Sequence, residues 1–394
     1  MKEVFIASAA RTPIGGFMGG LSSLSAVDLG THVAKAVVGR AGLTPEQVTE
    51  VVAGMIYKAG VKGNPARQIQ LASGMSADGV ACTVDQQCGS GLRAVEILSQ
   101  QIMLGRTDIG VAIGTESMSN APYIMPKNTR SGLRMGDATL MDSITHEGLN
   151  CAICDYHMGI TAENLAEKYS VSREEQDELA CLSHARAIEA QNKKHFDEEI
   201  VPVEIAGKKG AVTVVDKDEH PKPGTSMETL AKLRPAFKKD GTVTAGNASG
   251  INDGAAAVVL AGGEAVKDLG LKPLAKILAT ASMGVAPEHM GIGPVYALPK
   301  ALTYAGLTMD AIDYFELNEA FAAQFLACNR ELKLDMNKVN ANGSGIGLGH
   351  PVGCTGARIL VSLLYEMKRR GARYGAASLC VGGGPAVAAI VELL

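Results

Sequence analysis

Short apolar runs alternate with longer stretches in which apolar residues recur at helical spacing, almost from end to end of the 394-residue chain. In the first part the strand-like runs fall near residues 4–10, 51–56, 81–84, 110–114 and 255–261. In the last part they fall near 274–280, 314–317, 338–341, 376–381 and 387–393. Their length and aliphatic content predict strands, whereas 25–41, 92–104, 297–305 and 357–370 carry the periodicity of amphipathic helices. Apolar strands alternating with such helices imply an α/β protein with mixed sheets covered on both faces.

The two sets repeat one another. "AGLT" at 41–44 returns at 305–308, Gly91-Leu92-Arg93 is echoed by Gly356-Ala357-Arg358, and Gly110 by Gly375, each 264 or 265 residues further on. Three matches in order at one shift predict a duplicated βα unit. Residues 119–248 break the pattern, with charges crowded into "SREEQDELA" and "KLRPAFKKDG". They part the fourth strand of the first copy from its fifth and read as an inserted loop domain, which in such cores covers an active site or builds subunit contacts. The expected organisation is 1–118 with 249–270, an insert at 119–248, and a second half at 271–394.

Composition narrows the field. Apolar residues make up 46% of the chain, enough for a sizeable core, and a net charge of −4 argues against a general nucleic-acid binder. No apolar run approaches the roughly 20 residues of a membrane span. The N-terminal apolar stretch is short and meets Arg11 where a signal peptide needs small neutral residues. A cytoplasmic protein is expected, its eight irregularly spaced cysteines reduced.

Five features stand out against this background. Cys88, in "VDQQCGSGL", follows a strand and precedes a helix, where the dipole and free N–H groups favour thiolate and can hold an oxyanion. The alternative is a small buried cysteine at a strand end. His350 lies in the glycine-rich "NANGSGIGLGHPVGCTG", a loop that can approach a ligand closely; a phosphate-binding loop is the alternative, but neither dinucleotide nor P-loop spacing is present. Cys380 sits where "LCVGGGPAV" leaves a strand, either reactive or simply packed. Asn318, in "ELNEAF", offers an amide at a strand's C-terminal edge or caps the helix that follows. Cys151 and Cys154 form a CxxC flanked by His146 and His157, open to a metal or redox reading.

In this order the motifs resemble those of the thiolase family, and its short-chain members in particular. The likeness runs through "ASAARTPIGGF", "CGSG", "GTESMSNAPY", "YHMGITAEN", "LRPAFKKDGTVTAGNASGINDGAAA", "NEAF", "GHP" and "CVGGG", essentially the whole chain. It implies a thiolase-like fold, two mixed five-stranded sheets layered with helices, and reversible condensation of two acetyl-CoA to acetoacetyl-CoA and CoA. By the same resemblance Cys88 is acylated, His350 takes its proton and Cys380 is the second acid/base. Asn318, through a water, and His350 would meet the enolate oxygen, while the N–H groups of Cys88 and Gly382 would meet the acyl oxygen. Ser249, Lys222, Thr229, Leu233, Ala236, Phe237 and Ala245 would line the CoA path. His157, Met158 and Met290 would crowd the acyl end, where methionines suit a short group, and Leu149, Ala320 and Phe321 would also bind substrate.

The resemblance implies neither cofactor nor metal, CoA thioesters being substrates, no nucleic-acid or membrane partner, and a homotetramer, a dimer of dimers held through residues 124–142. The chain departs from the commonest family pattern at Asp85, Ser344, Gly347 and Pro385, and at Lys222, where an arginine is frequent. A thiolase of broader chain length and a non-catalytic acyl-CoA binder are the competing expectations. Intact Cys88, Asn318, His350 and Cys380 weigh against the second.

Overall fold

The computed structural model describes residues 2–394 apart from 126, 134, 208 and 209. The first copy consists of β1 (Val4–Arg11), β2 (Glu50–Gly54), β3 (Val80–Val84), β4 (Ile109–Ser117) and β5 (Asn252–Gly262). They lie side by side in the order β1-β5-β4-β2-β3. The second copy holds β6 (Ala275–Gly284), β7 (Tyr314–Leu317), β8 (Tyr374–Cys380) and β9 (Pro385–Leu393), ordered β6-β9-β8-β7. In both copies the strands furthest from β1 and β6 pair in parallel, and the rest are antiparallel.

The run at 338–341, expected as the fifth strand of the second copy, is reduced to one parallel bridge between Val339 and Phe315. Asn340 turns left-handed there (φ 48°) and stops the ladder. The two sheets also meet edge to edge. Val4, Phe5 and Ile6 of β1 pair antiparallel with Ile277, Lys276 and Ala275 of β6, so the hydrogen bonding runs on from one copy to the other.

The helices are α1 (Ala26–Arg40), α2 (Pro65–Ala72), α3 (Ser90–Met103), α4 (Met158–Lys168), α5 (Arg173–Asn192), α6 (Pro294–Ala305), α7 (Ala322–Leu332) and α8 (Val352–Arg370), with shorter turns between. Ser25 and Asp28 close a capping box at the start of α1, whose Leu29, Val33 and Val37 are buried. With α2 it covers one face of the first sheet, and α6 and α7 cover the matching face of the second. The equivalent helices α3 and α8 lie in the middle and share one apolar cluster with strands of both sheets.

Their crossing is close because it is built from glycine. A Cβ on Gly91 would stand 2.7 Å from the backbone nitrogen of Ala357, and one on Gly356 would collide with that of Leu92. This contact brings two helix N-termini together, one just after Cys88 and the other just after His350.

Among its described residues the insert contains α4, α5 and three short hairpins. Arg11 ties it to β1: fully buried, it donates to Glu199 at 2.7 Å and to Asp218 at 2.6 Å, and lies over the ring of Phe196. At the other side Ala322 N–H donates to Asn247 and Ser249 N–H to Ala320. In the expected tetramer loop, residues 124–142, Pro126 and Arg134 lie outside the described residues. Its ends pair, Tyr123–Ile124 against Met141–Asp142, and Leu133, Met135 and Leu140 project into solvent. Among the described residues no helix is long and apolar enough to cross a membrane.

Candidate active site

Cys88 sits in the sharp turn from β3 into α3, with Gly89 as N-cap. Gln87 is held at φ 45°, and the Ser90 hydroxyl fixes the turn by donating to Gln87 O and accepting from Gln86 N–H. Left-handed geometry at a side chain as large as glutamine is costly and here serves to aim the next residue. The Cys88 sulfur lies against the N–H groups of Gly382 and of Cys88 itself. Burial pushes its thiol up to about 11 even though these two donors pull the other way. Gly89 has no room for a side chain, since a Cβ would meet Val381 at 2.7 Å.

Cys380 ends β8, fully buried and close enough to Cys88 for the two thiols to interact. Burial, with Cys88 and Cys328 adding, holds it well above the usual thiol range. His350 is buried in the loop before α8; its N–H donates to Asn252 Oδ1 at 2.9 Å. Its Nδ1 lies 2.6 Å from Thr355 Oγ1, and that hydroxyl already donates to Pro351 O. The hydroxyl therefore accepts from Nδ1–H, which leaves Nε2 as a lone pair with no partner among the described residues. Burial, then the Arg358 charge, lowers the imidazole to about 3.

Asn318 is fully buried, yet neither the nitrogen nor the oxygen of its side-chain amide has a hydrogen-bond partner among the described residues. It is not a helix cap, for α7 begins at Ala322 behind Phe321. Its N–H donates to Ser378 O on β8, two residues from Cys380. Buried polar atoms seldom go unpaired. Asn318 is bonded beside the strand that bears Cys380, and Val352, two residues after His350, packs in the cluster that Cys88 joins, so these groups gather about one recess.

Four further residues organise this recess, and sequence reading missed them. Asn252 holds the His350 backbone, and Thr355 sets its tautomer. Asn340 binds both polar groups of Leu317 and the side chain of Glu319, joining the "ELNEAF" and "NANGSG" loops. Glu116 accepts from the N–H groups of Ile56, Tyr57 and Gly353, tying β4 to the first turn of α8. Burial raises it to about 7. Asn340 and Thr355 lie in the same glycine-rich motif as His350, whereas nothing in the sequence marks the contacts of Asn252 and Glu116.

The expected acyl-end residues gather nearby. Met158, Met290, Ala320 and Phe321 share a cluster with Cys380, and Leu149 packs with Val352 in the cluster that Cys88 joins. Phe237 stacks on His157 at 4.5 Å and meets Phe321 edge-on at 6.0 Å. His157 Nδ1 accepts from Gly159 N–H and so caps α4. Ser249 is half-buried on the strip beside Ala320, while Lys222, Thr229, Leu233, Ala236 and Ala245 are exposed along the insert.

The departures are accommodated locally. Ser344 Oγ donates to Leu317 O and accepts from Arg358, Asp85 pairs with Lys58, and Pro385 opens β9. Gly347 abuts Ser183, where a Cβ would collide. Cys151 and Cys154 approach one another, but among the described residues no group of three or more His, Cys, Asp or Glu side chains is gathered as a metal would require.

Residues 4–264 match the thiolase N-terminal domain and residues 271–393 the thiolase C-terminal domain. The acetyl-CoA acetyltransferase of Escherichia coli is 50% identical over the full length of both chains, and that of Allochromatium vinosum 50% identical over 99% of each. The solved acetyl-CoA acetyltransferase of Syntrophomonas wolfei superposes with a TM-score of 0.98 at 50% identity, covering all of both chains. Human mitochondrial 3-ketoacyl-CoA thiolase superposes at 0.96 with 41% identity, covering all of this chain and 99% of that one.

Proposed function

Because this chain belongs to the thiolase family, we propose that it is an acetyl-CoA C-acetyltransferase, interconverting two acetyl-CoA with acetoacetyl-CoA and CoA. The observation that carries this reading is a Cys88 sulfur on two backbone N–H groups with a second thiol beside it, supported by a His350 Nε2 and an Asn318 amide that have no hydrogen-bond partner among the described residues.

In the first half-reaction His350 Nε2 takes the Cys88 proton as the sulfur attacks the acetyl thioester. The oxyanion forms against the N–H groups of Cys88 and Gly382. The C–S bond to CoA then breaks, and Cys380 gives its proton to the departing sulfur. In the second half-reaction the Cys380 thiolate removes an α-proton from a second acetyl-CoA. The enolate oxygen is met by protonated His350 and, through a water, by Asn318. The carbanion attacks acetyl-Cys88, acetoacetyl-CoA forms, and the Cys88 sulfur recovers its proton from His350.

A neutral Cys380 at rest fits this order, since it becomes a base only after giving its proton away. Met158, Met290, Leu149, Phe321 and Ala320 bound a short acyl group beside His157. Ser249, Lys222, Thr229, Leu233, Ala236, Phe237 and Ala245 line the CoA arm. The proposal calls for no cofactor or metal, and includes a cytoplasmic homotetramer.

The test follows acetoacetyl-CoA by its absorbance on adding CoA. The intact chain is expected to cleave it. Cys380→Ser is expected to lose about a hundredfold or more in cleavage and condensation, the range of a lost general acid/base. It should still exchange acetyl groups with CoA, because a thiolate with an intrinsic pKa of about 8.5 leaves without help. No cleavage by the intact chain, or a parental rate in Cys380→Ser, would overturn the reading.

A further inference from the structure

The CxxC at Cys151 and Cys154 has no part in the chemistry above, yet its setting is specific. Asn150–Cys151 pairs antiparallel with Tyr156–His157, so the two cysteines lie at the mouth and on the loop of one tight hairpin. Cys151 O accepts from Asp155 N–H at 2.8 Å, and Asp155 is left-handed at φ 57°. Inside this turn Cys154 N–H donates to Cys151 Sγ at 3.4 Å, and the Cys154 thiol shares hydrogen bonds with Cys151 and with Tyr156. Burial raises the Cys154 thiol above its ordinary range, while the Tyr156 hydrogen bond pulls the other way, so the case for this pair rests on its geometry. The pair differs in access: Cys151 is buried and Cys154 is partly exposed.

The hairpin also touches the oxyanion loop. The methyl end of Ile153 lies 3.7 Å from where a Cβ on Gly383 would stand. Met158, immediately after the hairpin, packs flush on Gly382, with its Cε 2.7 Å from a Cβ placed there. Gln87, which aims Cys88, donates to Glu147 O just upstream. A covalent bond between residues 151 and 154 would draw the loop in and carry Ile153 and His157 with it.

We propose that Cys151 and Cys154 are a second reactive thiol site, oxidised to an intrachain disulfide by low-molecular-weight disulfides, and that closing the bond lowers turnover by displacing the hairpin packed on Gly382 and Gly383. The exposed Cys154 thiolate attacks one sulfur of the small disulfide, whose S–S bond breaks and releases one thiol. The Cys151 thiolate then attacks the Cys154 sulfur of the mixed disulfide and releases the second. Two electrons pass from the cysteine pair to the small disulfide, and the two cysteine protons end on the two released thiols.

The turnover arm rests on the thiolase reading; the formation of the disulfide does not. The test treats the full-length enzyme with glutathione disulfide, maps its thiols by peptide mass, and measures acetoacetyl-CoA cleavage before, after, and after a dithiol reductant. The expected result is loss of two hydrogens within the 151–154 peptide and a rate about tenfold lower, restored by the reductant. Tenfold is modest beside the loss of an oxyanion donor. Cys154→Ser should start near the parental rate and keep it under the same treatment. The proposal is overturned if 151 and 154 stay dithiols while treatment inactivates the enzyme, or if the bridged peptide forms at full rate. It is equally overturned if Cys154→Ser is inactivated alike.

Discussion

At the scale of single residues, two groups have been moved in opposite directions by the same cause. Burial pushes the Cys88 thiol up to about 11 and the His350 imidazole down to about 3. At neutral pH the resting site is thus thiol and neutral imidazole rather than an ion pair. On the proposed mechanism the proton moves when a substrate carbonyl is there to be attacked, and the two backbone donors at Cys88 would then meet an oxyanion. The consequence is measurable in the free enzyme. Alkylation of Cys88 by iodoacetamide should accelerate roughly tenfold per unit between about pH 7 and 10, because only the thiolate reacts. Following the rate by peptide mass against pH decides it: a plateau near neutrality would reveal a preformed thiolate–imidazolium pair.

At the scale of elements, the crossing of α3 and α8 holds the site together. Both helices start within the recess, and Gly91 and Gly356 let their backbones touch. Gly356→Ala improves helix propensity by about 1 kcal/mol, yet its Cβ drives into Leu92 of α3. The expected net result is destabilisation by about 1–3 kcal/mol, as for overpacked cores. The loss of turnover should be larger than that implies, since the start of α3 carries Cys88. Urea denaturation beside a cleavage assay measures both, and a variant as stable and active as the parent would refute the role of the crossing.

Much of this layer was legible in advance. The 264- to 265-residue shift and the apolar runs gave two copies of the βα unit. Cys88 is readable as the start of a helix because a strand run stops where a helical pattern begins, and His350 as a residue of a glycine-rich loop that can approach a ligand. The rest depended on side chains meeting across the chain. Asn318 reads equally as a cap until α7 is seen to begin at Ala322. The 338–341 run has strand composition, but left-handed Asn340 spends its side chain on Leu317 and Glu319. The edge pairing of β1 with β6 joins strands some 270 residues apart by three residue pairs, and Glu116 is one charge in an apolar strand until its three N–H partners are in view.

At the scale of the molecule, among the described residues β3 is the outer edge of its sheet, bonded only to β2, with Val80 62% exposed and Cys82 exposed. An apolar edge of this kind is an association surface, and pairing it with its own copy about a two-fold axis covers both. The exposed Leu133, Met135 and Leu140 of the 124–142 loop offer a second contact, which would join two such dimers. The central claim is that Cys88 is the residue that carries the acetyl group. The measurement that tests it most directly is native mass spectrometry of Cys380→Ser mixed with acetyl-CoA, followed by peptide mapping. The account predicts a tetramer in which each chain gains one acetyl group, on Cys88, with one CoA released per chain. Acetyl on any other residue, or no acetyl and no released CoA from a protein whose parent cleaves acetoacetyl-CoA, would contradict it.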